Sequence, residues 1–400
     1  MNFKLINKIS VCIFAAAVIF VGCGKDVTHS LLKDQDAWIT QVDLPVPIRL
    51  GSQVLTKSEP YDGSDMTLED MLGVFAIDKT EGVLFNEGGT YLRNVKAEML
   101  QGEISFMTPV YYPTESKENL SFYAYHARQS EEDVQIEIGP TTIDIPVTLG
   151  TRADVLWATS KAETLDSGLE GFNAPYIREV ARRGLQSHLN PMLKFEHMTS
   201  CLEFYIKKEL NTTGNKFDQR IRMRGLVIDN VYTMAKLRIA DKRSHDAATY
   251  PDTDINGNRL DENGNRMEGF LTPIDGTIGS LEVVPGSEDS DLLRDLPTTQ
   301  TRYGYLYICP HGEQKTISGK LNFIVYPDRN SEENSRSYTV PFSFDMSKIS
   351  GALKEFKAGY KYTFVLNVKE SAEVLVEAIV EDYKDAWAED EVPVWDVDNM

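Results

Sequence analysis

The sequence lacks the residues that usually announce chemistry. Only four cysteines and six histidines stand in 400 residues. No H-E-x-x-H helix and no C-x-x-C occurs, so the common zinc spacings are excluded. There is no G-x-S-x-G elbow and no glycine-rich phosphate cradle. His197 lies on a strand-like run, where a histidine serving structure is expected rather than a ligand. With 61 acidic residues, no carboxylate pair stands out for acid–base work. The reading is that this is not an enzyme and needs no cofactor, a structural calcium being the one candidate weighed below. Basic residues are also short, 41 against 61 acids for a net charge of −20. Nucleic acid is excluded as a partner, because phosphate binding needs Lys and Arg patches. Cys201 and Cys309, far apart in the body of the chain, are no disulfide framework. They are expected as small buried hydrophobes.

What is present begins at the N-terminus. Lys4 and Lys8 precede an apolar run from Ile9 to Val21, then Gly22 and Cys23. A basic region, a short apolar core and a small residue before a cleavage point are the layout of a secretory signal. The run is shorter than the ~20 apolar residues of a spanning helix, and no second such run follows. Phe20-Val21-Gly22-Cys23 resembles a bacterial lipobox. Residues 1–22 are read as a lipoprotein signal peptide and residues 23–40 as a tether lipidated at Cys23. Several acyl chains on one cysteine hold a protein to a membrane, where one chain does so marginally. The membrane is then met through the lipid alone.

The rest reads as β-structure. Alternating apolar and polar residues mark strands at 120–125, 134–138, 142–147, 193–197, 202–206 and 225–228. Further strands are marked at 304–309, 321–326, 337–344, 360–368 and 374–380. Gly, Pro, Asn and Asp cluster between them as turns. Helical patterns are few, around Tyr176 to Arg183 and Met346 to Leu353. Short strands at this spacing favour antiparallel sandwiches. The fold class is all-β, with two domains at 41–212 and 213–400 and a polar insertion around 241–267. In that insertion Asp252, Asp254, Asn256 and Asn258 alternate around Gly257, as oxygen ligands do at the start of a calcium loop. The twelfth position is Asn263, where a bidentate Glu belongs, and a solvated turn explains the same residues.

Five stretches in order carry a resemblance: Met71–Ile77; Tyr111-Tyr112-Pro113 with Leu120–Tyr125; Asp154–Ala158; Leu193–Phe204; and Phe356–Phe364. Together behind a lipobox they make the chain resemble the fimbrillin (Mfa-like) lipoproteins of Bacteroidales, the pilin subunits of type V pili. The resemblance implies two tandem transthyretin-like β-sandwiches. It implies a structural or accessory subunit of cell-surface fimbriae that mediates adhesion. The precursor would sit lipid-anchored on the outer membrane, and the product in the fimbrium. An Arg- or Lys-specific maturation protease would clip near the first strand, expected within Trp38–Leu50, with Arg49 or Lys57 as the clipped residue. A neighbouring pilin subunit would then fill the vacated groove by β-strand donation. The expected donor is Val374–Val380 or beyond, and host or bacterial surface receptors are the implied adhesion partners. The alternative is an outer-membrane lipoprotein that binds glycans, with Trp38, Trp157, Trp387 and Trp395 as stacking platforms, Trp157 being more suited to a core. A hydrolase on the same fold lacks any constellation.

Overall fold

The structure is a computed structural model. It describes residues 37–54, 72–78, 82–100, 103–113, 119–127, 135–150, 154–160, 172–184, 190–208, 220–245, 253–254, 258–285, 294–296, 298–311, 314–326, 333–348, 355–368 and 374–382. Helix α1 is Ala37–Thr40 and α2 is Ala174–Arg182. The first strands are β1 Leu50–Val54, β2 Leu72–Asp78, β3 Thr90–Leu100, β4 Glu103–Phe106, β5 Leu120–His126, β6 Glu137–Ile138 and β7 Thr142–Thr148. Next come β8 Leu156–Thr159, β9 Met192–His197, β10 Ser200–Lys208, β11 Arg220–Tyr232, β12 Met234–Asp241, β13 Phe270–Pro273 and β14 Ile278–Glu282. The last are β15 Val284–Pro285, β16 Arg294–Asp295, β17 Thr301–Ile308, β18 Thr316–Tyr326, β19 Arg336–Asp345, β20 Tyr360–Val368 and β21 Val374–Asp382.

The protein is all-β, and among the described residues its strands form four sheets. Seven close into a ring, β1-β4-β3-β2-β5-β8-β9. The others run β13-β12-β7-β6, β15-β17-β10-β20-β21 and β14-β11-β18-β19, with β16 also paired to β11. Strand β2 (Leu-Gly-Val-Phe-Ala-Ile-Asp) is buried along its whole length. A near-continuous apolar run suits a strand covered on both faces. Phe75 and Ile77 join Tyr123, Trp157, Ile145, Leu237 and Ile239 in one core. The alternate residues Val74 and Phe122 are buried too, and strand alternation turns them to the inside of the ring. A second core gathers Leu202, Phe204, Ile206, Leu226, Ile228, Leu321, Phe323, Tyr362, Phe364 and Leu366 from the two five-stranded sheets.

The pairing does not follow a division at residue 212. Strand β10, before it, pairs with β17 and β20, and β12, after it, pairs with β7. Within the expected polar insertion, Asn258 and Met267 are buried. The helical pattern near Met346 shortens to a single turn at Met346–Lys348 among the described residues.

A smaller compact unit comprises residues 1–48, 109–117 and 173–190, described here at 37–48, 109–113, 173–184 and 190. The Asn173 side chain caps α2 by accepting from the Tyr176 N–H at 2.8 Å, with Pro175 in the first turn. Its apolar face, Ala174, Ile177, Val180 and Ala181, is buried. Arg178 donates to the Trp38 carbonyl and Arg182 to that of Ile39, satisfying oxygens a four-residue helix leaves open, and Arg178 also donates to the Leu44 carbonyl beyond it. The first strand expected within Trp38–Leu50 is therefore corrected: α1 stands at Ala37–Thr40 and β1 begins at Leu50. Pro45 and Pro47 supply the reason. Neither offers an N–H, so between them the chain forms only a bridge, Pro47 to Tyr111.

Candidate functional site

The feature that bears on assembly is the seam closed by β1. On one side β1 is antiparallel to β4 through two pairs, Leu50↔Ile104 and Gly51↔Glu103. On the other it is parallel to β9, from Gly51↔Met192 to Val54↔Phe195. Parallel pairing is slightly weaker per residue than antiparallel. Leu50 is 1% exposed and Ser52 8%, so the strand is seated in the ring. Its fit is imperfect at one atom: the Ser52 hydroxyl is buried with no hydrogen-bond partner among the described residues. At Gly51 a Cβ would come 2.2 Å from the Met192 sulfur, so that position takes only glycine unless Met192 moves.

The expected site residues fall unequally on this seam. Arg49 is exposed and directly precedes β1. Lys57 follows β1 in the chain and lies outside the described residues, as do Cys23, Asp252 and Asn256. The two scissile candidates thus bracket β1. A cut after Arg49 keeps the strand in the body, and a cut after Lys57 releases it. The expected donor is an edge strand here: β21 pairs with β20 from Val368↔Val374 to Tyr360↔Asp382. It must leave β20 before it can enter another subunit.

Asp254 and Asn258 form a turn rather than an open oxygen cage. The Asp254 carboxylate accepts from the Asn258 N–H at 2.8 Å and from its side-chain amide at 3.1 Å. Arg266 pairs with Asp254 at 3.2 Å and with Glu196 of β9 at 3.0 Å. Among the described residues no three His, Cys, Asp or Glu side chains gather as a metal site. Of the tryptophan platforms, Trp38 and Trp157 are buried, and the Trp157 N–H donates to the Ile239 carbonyl at 3.0 Å. Trp387 and Trp395 lie outside the described residues. Cys201 and Cys309 are buried and unbridged, and burial pushes the Cys309 thiol up to about 12.

One constellation escaped the sequence reading. His197 Nδ1 lies 2.5 Å from an Asp154 oxygen, and the Thr199 hydroxyl donates to the other oxygen at 2.8 Å. Burial alone would raise the Asp154 carboxyl. The His197 charge and the His197 and Thr199 hydrogen bonds hold it below the ordinary value of 3.8. The pair ties the start of β8 to the end of β9, next to Leu156↔His197 in the ring. Both residues belong to stretches quoted above, Asp154–Ala158 and Leu193–Phe204, which were visible without their contact.

A model of the fimbrillin-like family matches residues 56–382, most of the chain. The chain belongs to the fimbrillin-like family. That family is one of structural pilins rather than enzymes, so this fimbrillin-like protein is a fimbrial subunit of the cell surface. Among solved structures it is similar to a fimbrial protein of Bacteroides vulgatus, at 15% identity over 84% of this chain and 99% of that one, TM-score 0.45. It is also similar to the fimbrial anchor protein Mfa2 of Porphyromonas gingivalis, at 12% identity over 85% and 98%, TM-score 0.33. A third is the tip fimbrial protein Mfa3 of Porphyromonas gingivalis, C-terminally truncated, at 9% identity over 85% and 100%, TM-score 0.34. A comparison with curated proteins finds no match. No helix among the described residues is long and apolar enough to cross a membrane.

Proposed function

We propose that this fimbrial subunit assembles by strand exchange at the β1 slot, after cleavage at Lys57 rather than Arg49. The observation that supports this reading is that β1 alone closes the ring, held by two pairs to β4 and a short parallel run to β9. Its release leaves β4 and β9 each with an open edge facing one gap, and open edges are templates for another strand. Head-to-tail insertion of that kind does not close on itself, so it builds a filament. Cleavage after Arg49 opens no such gap.

On this reading Cys23 carries the precursor to the outer membrane by its lipid, and the lipid departs with β1 once Lys57 is cut. The assembled fimbria then present the subunit for adhesion to host or bacterial surfaces. The test is the mature N-terminus and the fimbriae of cells expressing Lys57→Ala, Arg49→Ala and Cys23→Ala. Lys57→Ala is expected to abolish incorporation, Arg49→Ala to leave it intact, and Cys23→Ala to lose palmitate labelling and surface delivery. Normal incorporation of Lys57→Ala would overturn the reading.

A further inference from the structure

This inference rests on the reading that Cys23 carries a lipid, and it deepens the delivery step. We propose that the small unit described at 37–48, 109–113, 173–184 and 190 is a membrane-contact surface. Its turn at Val42–Leu44 enters the headgroup layer of a bilayer, and the arginines of α2 meet anionic lipid headgroups.

The apolar part of the surface is concentrated. Among the described residues eight large hydrophobic side chains are exposed, and this short unit holds three of them. Val42 is 67% exposed, Leu44 37% and Tyr111 42%. Single exposed hydrophobics are ordinary, whereas a concentration of them marks an interaction surface. The turn is built by its backbone: the Gln41 N–H donates to the Ala37 carbonyl at 2.9 Å and the Leu44 N–H to the Gln41 carbonyl at 3.3 Å. The bridge between Pro47 and Tyr111 brings Tyr111 beside the same run.

The charge around the turn differs from that of the chain. The whole sequence carries a net charge of −20, yet this described unit sets Arg178, Arg182 and Arg183 against Asp43 and Glu179. Arg178 donates to the Leu44 carbonyl at 2.7 Å and Arg182 to the Ile39 carbonyl at 3.0 Å, so two guanidiniums flank the turn. Arg182 and Arg183 are exposed. Arg183 pairs with Glu179 at 2.9 Å, but both side chains are about half in water, where such a pair is weak and a phosphate oxygen can compete for it. Asp43, exposed between Val42 and Leu44, resists the acyl interior and limits entry to the headgroup level.

A bilayer is favoured as the occupant by chain length as well as by charge. Residues 24–36 join Cys23 to Ala37, a connection that reaches at most roughly 50 Å. A contact on so short a tether is intramolecular, so a weak one suffices. Two aliphatic side chains with a basic rim make a contact of that strength. Val42 and Leu44 also precede Lys57, as Cys23 does. A cut after Lys57 therefore removes the lipid and the entering turn together, and the contact belongs to the precursor alone.

The test uses the lipid-bearing full chain with Val42→Cys labelled by an environment-sensitive dye. Cys201 and Cys309 are buried, so the label goes to position 42. The protein is bound to vesicles of phosphatidylcholine with a minority of phosphatidylglycerol, containing a lipid spin-labelled near its headgroup. The dye is expected to shift to the blue and to be quenched, relative to the same dye at Ile278→Cys, an exposed position of the larger unit. Arg183→Glu leaves the hydrogen bonds to α1 in place and reverses one charge. It is expected to lower the ratio of quenched to unquenched dye about tenfold, and pure phosphatidylcholine is expected to lower it too. A chain that does not float with vesicles overturns the lipid reading, and this proposal with it. A chain that floats with its position-42 dye unquenched overturns the contact while the lipid stands. Equal quenching in Arg183→Glu and on pure phosphatidylcholine overturns the role of the arginines. A blue shift without vesicles that grows with protein concentration makes the turn an interface between copies and overturns the bilayer as its occupant.

Discussion

Among the described residues two strand pairs are parallel, and they are built for opposite ends. Strand β10 runs beside β20 from Cys201↔Lys361 to Lys208↔Val368, in the middle of its sheet. Its inward residues Leu202, Phe204 and Ile206 meet Tyr362, Phe364 and Leu366 in the core, and Phe204 stacks on Phe364 at 5.4 Å. Strand β1 beside β9 has half that length of register, a glycine under a methionine, and a buried hydroxyl with nothing to bond. Both are parallel, so pairing geometry does not separate them. Side-chain burial and polar satisfaction do. One pair is a permanent weld between strands distant in sequence, and the other is a closure that tolerates removal.

The largest expected effect breaks the weld. Phe364→Ala should cost about 3–5 kcal/mol, the usual range for deleting a buried aromatic ring, read as a lower urea midpoint at unchanged slope. A loss below about 1 kcal/mol would show that the two parallel pairs are not so different. Next is the tie at the end of β9. Asp154→Asn should cost about 2 kcal/mol near neutral pH, the range for a hydrogen bond to a charged group. The Asp154 carboxyl is held below its ordinary value when folded, so its contribution is full above 3.8 and is lost as pH falls through the lower folded value. The wild-type acid unfolding limb should therefore flatten in Asp154→Asn, as followed by tryptophan fluorescence between pH 5 and pH 2. A smaller effect of opposite sign belongs to the slot: Ser52→Ala should stabilise the intact chain by about 1 kcal/mol by removing the orphaned hydroxyl. A destabilisation would mean that the hydroxyl is satisfied.

How legible each region was follows from where its stabilisation comes from. The second core announces itself locally, because β10, β18, β19 and β20 alternate apolar and polar residues over long runs. Leu-Gly-Ser-Gln-Val does not: two of its five residues are aliphatic, and glycine weakens a strand. Strand β1 is a strand because β4 and β9 are there to receive it, which no window of sequence shows. Asp154 and His197 are separated by 43 positions, so their contact has no period to betray it. Asp254 and Asn258 are ambiguous in sequence for a different reason. Asp and Asn in alternation serve a calcium loop and a hydrogen-bonded turn equally well. The deciding residue, Arg266, stands outside the pattern.

That turn supplies the finest test of the comparison, because it braces the strand that receives β1. Asn258 donates from its side-chain amide to a Glu196 oxygen of β9 at 2.9 Å, and Arg266 reaches the same oxygen at 3.0 Å. The Arg266 guanidinium also lies 5.5 Å from the centre of a Trp157 ring, which holds it over the core edge. Calcium needs six to eight oxygens, whereas here a cation of the protein's own already occupies the Asp254 carboxylate. To bind, calcium would have to expel Arg266 from both carboxylates and from the ring face. Added calcium is therefore expected to leave the thermal midpoint unchanged. Arg266→Ala should cost about 1 kcal/mol, the scale of a partly exposed ion pair with a ring contact, and should speed release of β1 from a chain cut after Lys57. Midpoints with and without calcium, read beside the release rate, separate the alternatives. A rise with calcium in the wild type would make the turn a metal site after all. An unchanged release rate in Arg266→Ala would show that β9 holds its shape without the brace, leaving Ser52 and Met192 as the features that set how firmly β1 is held.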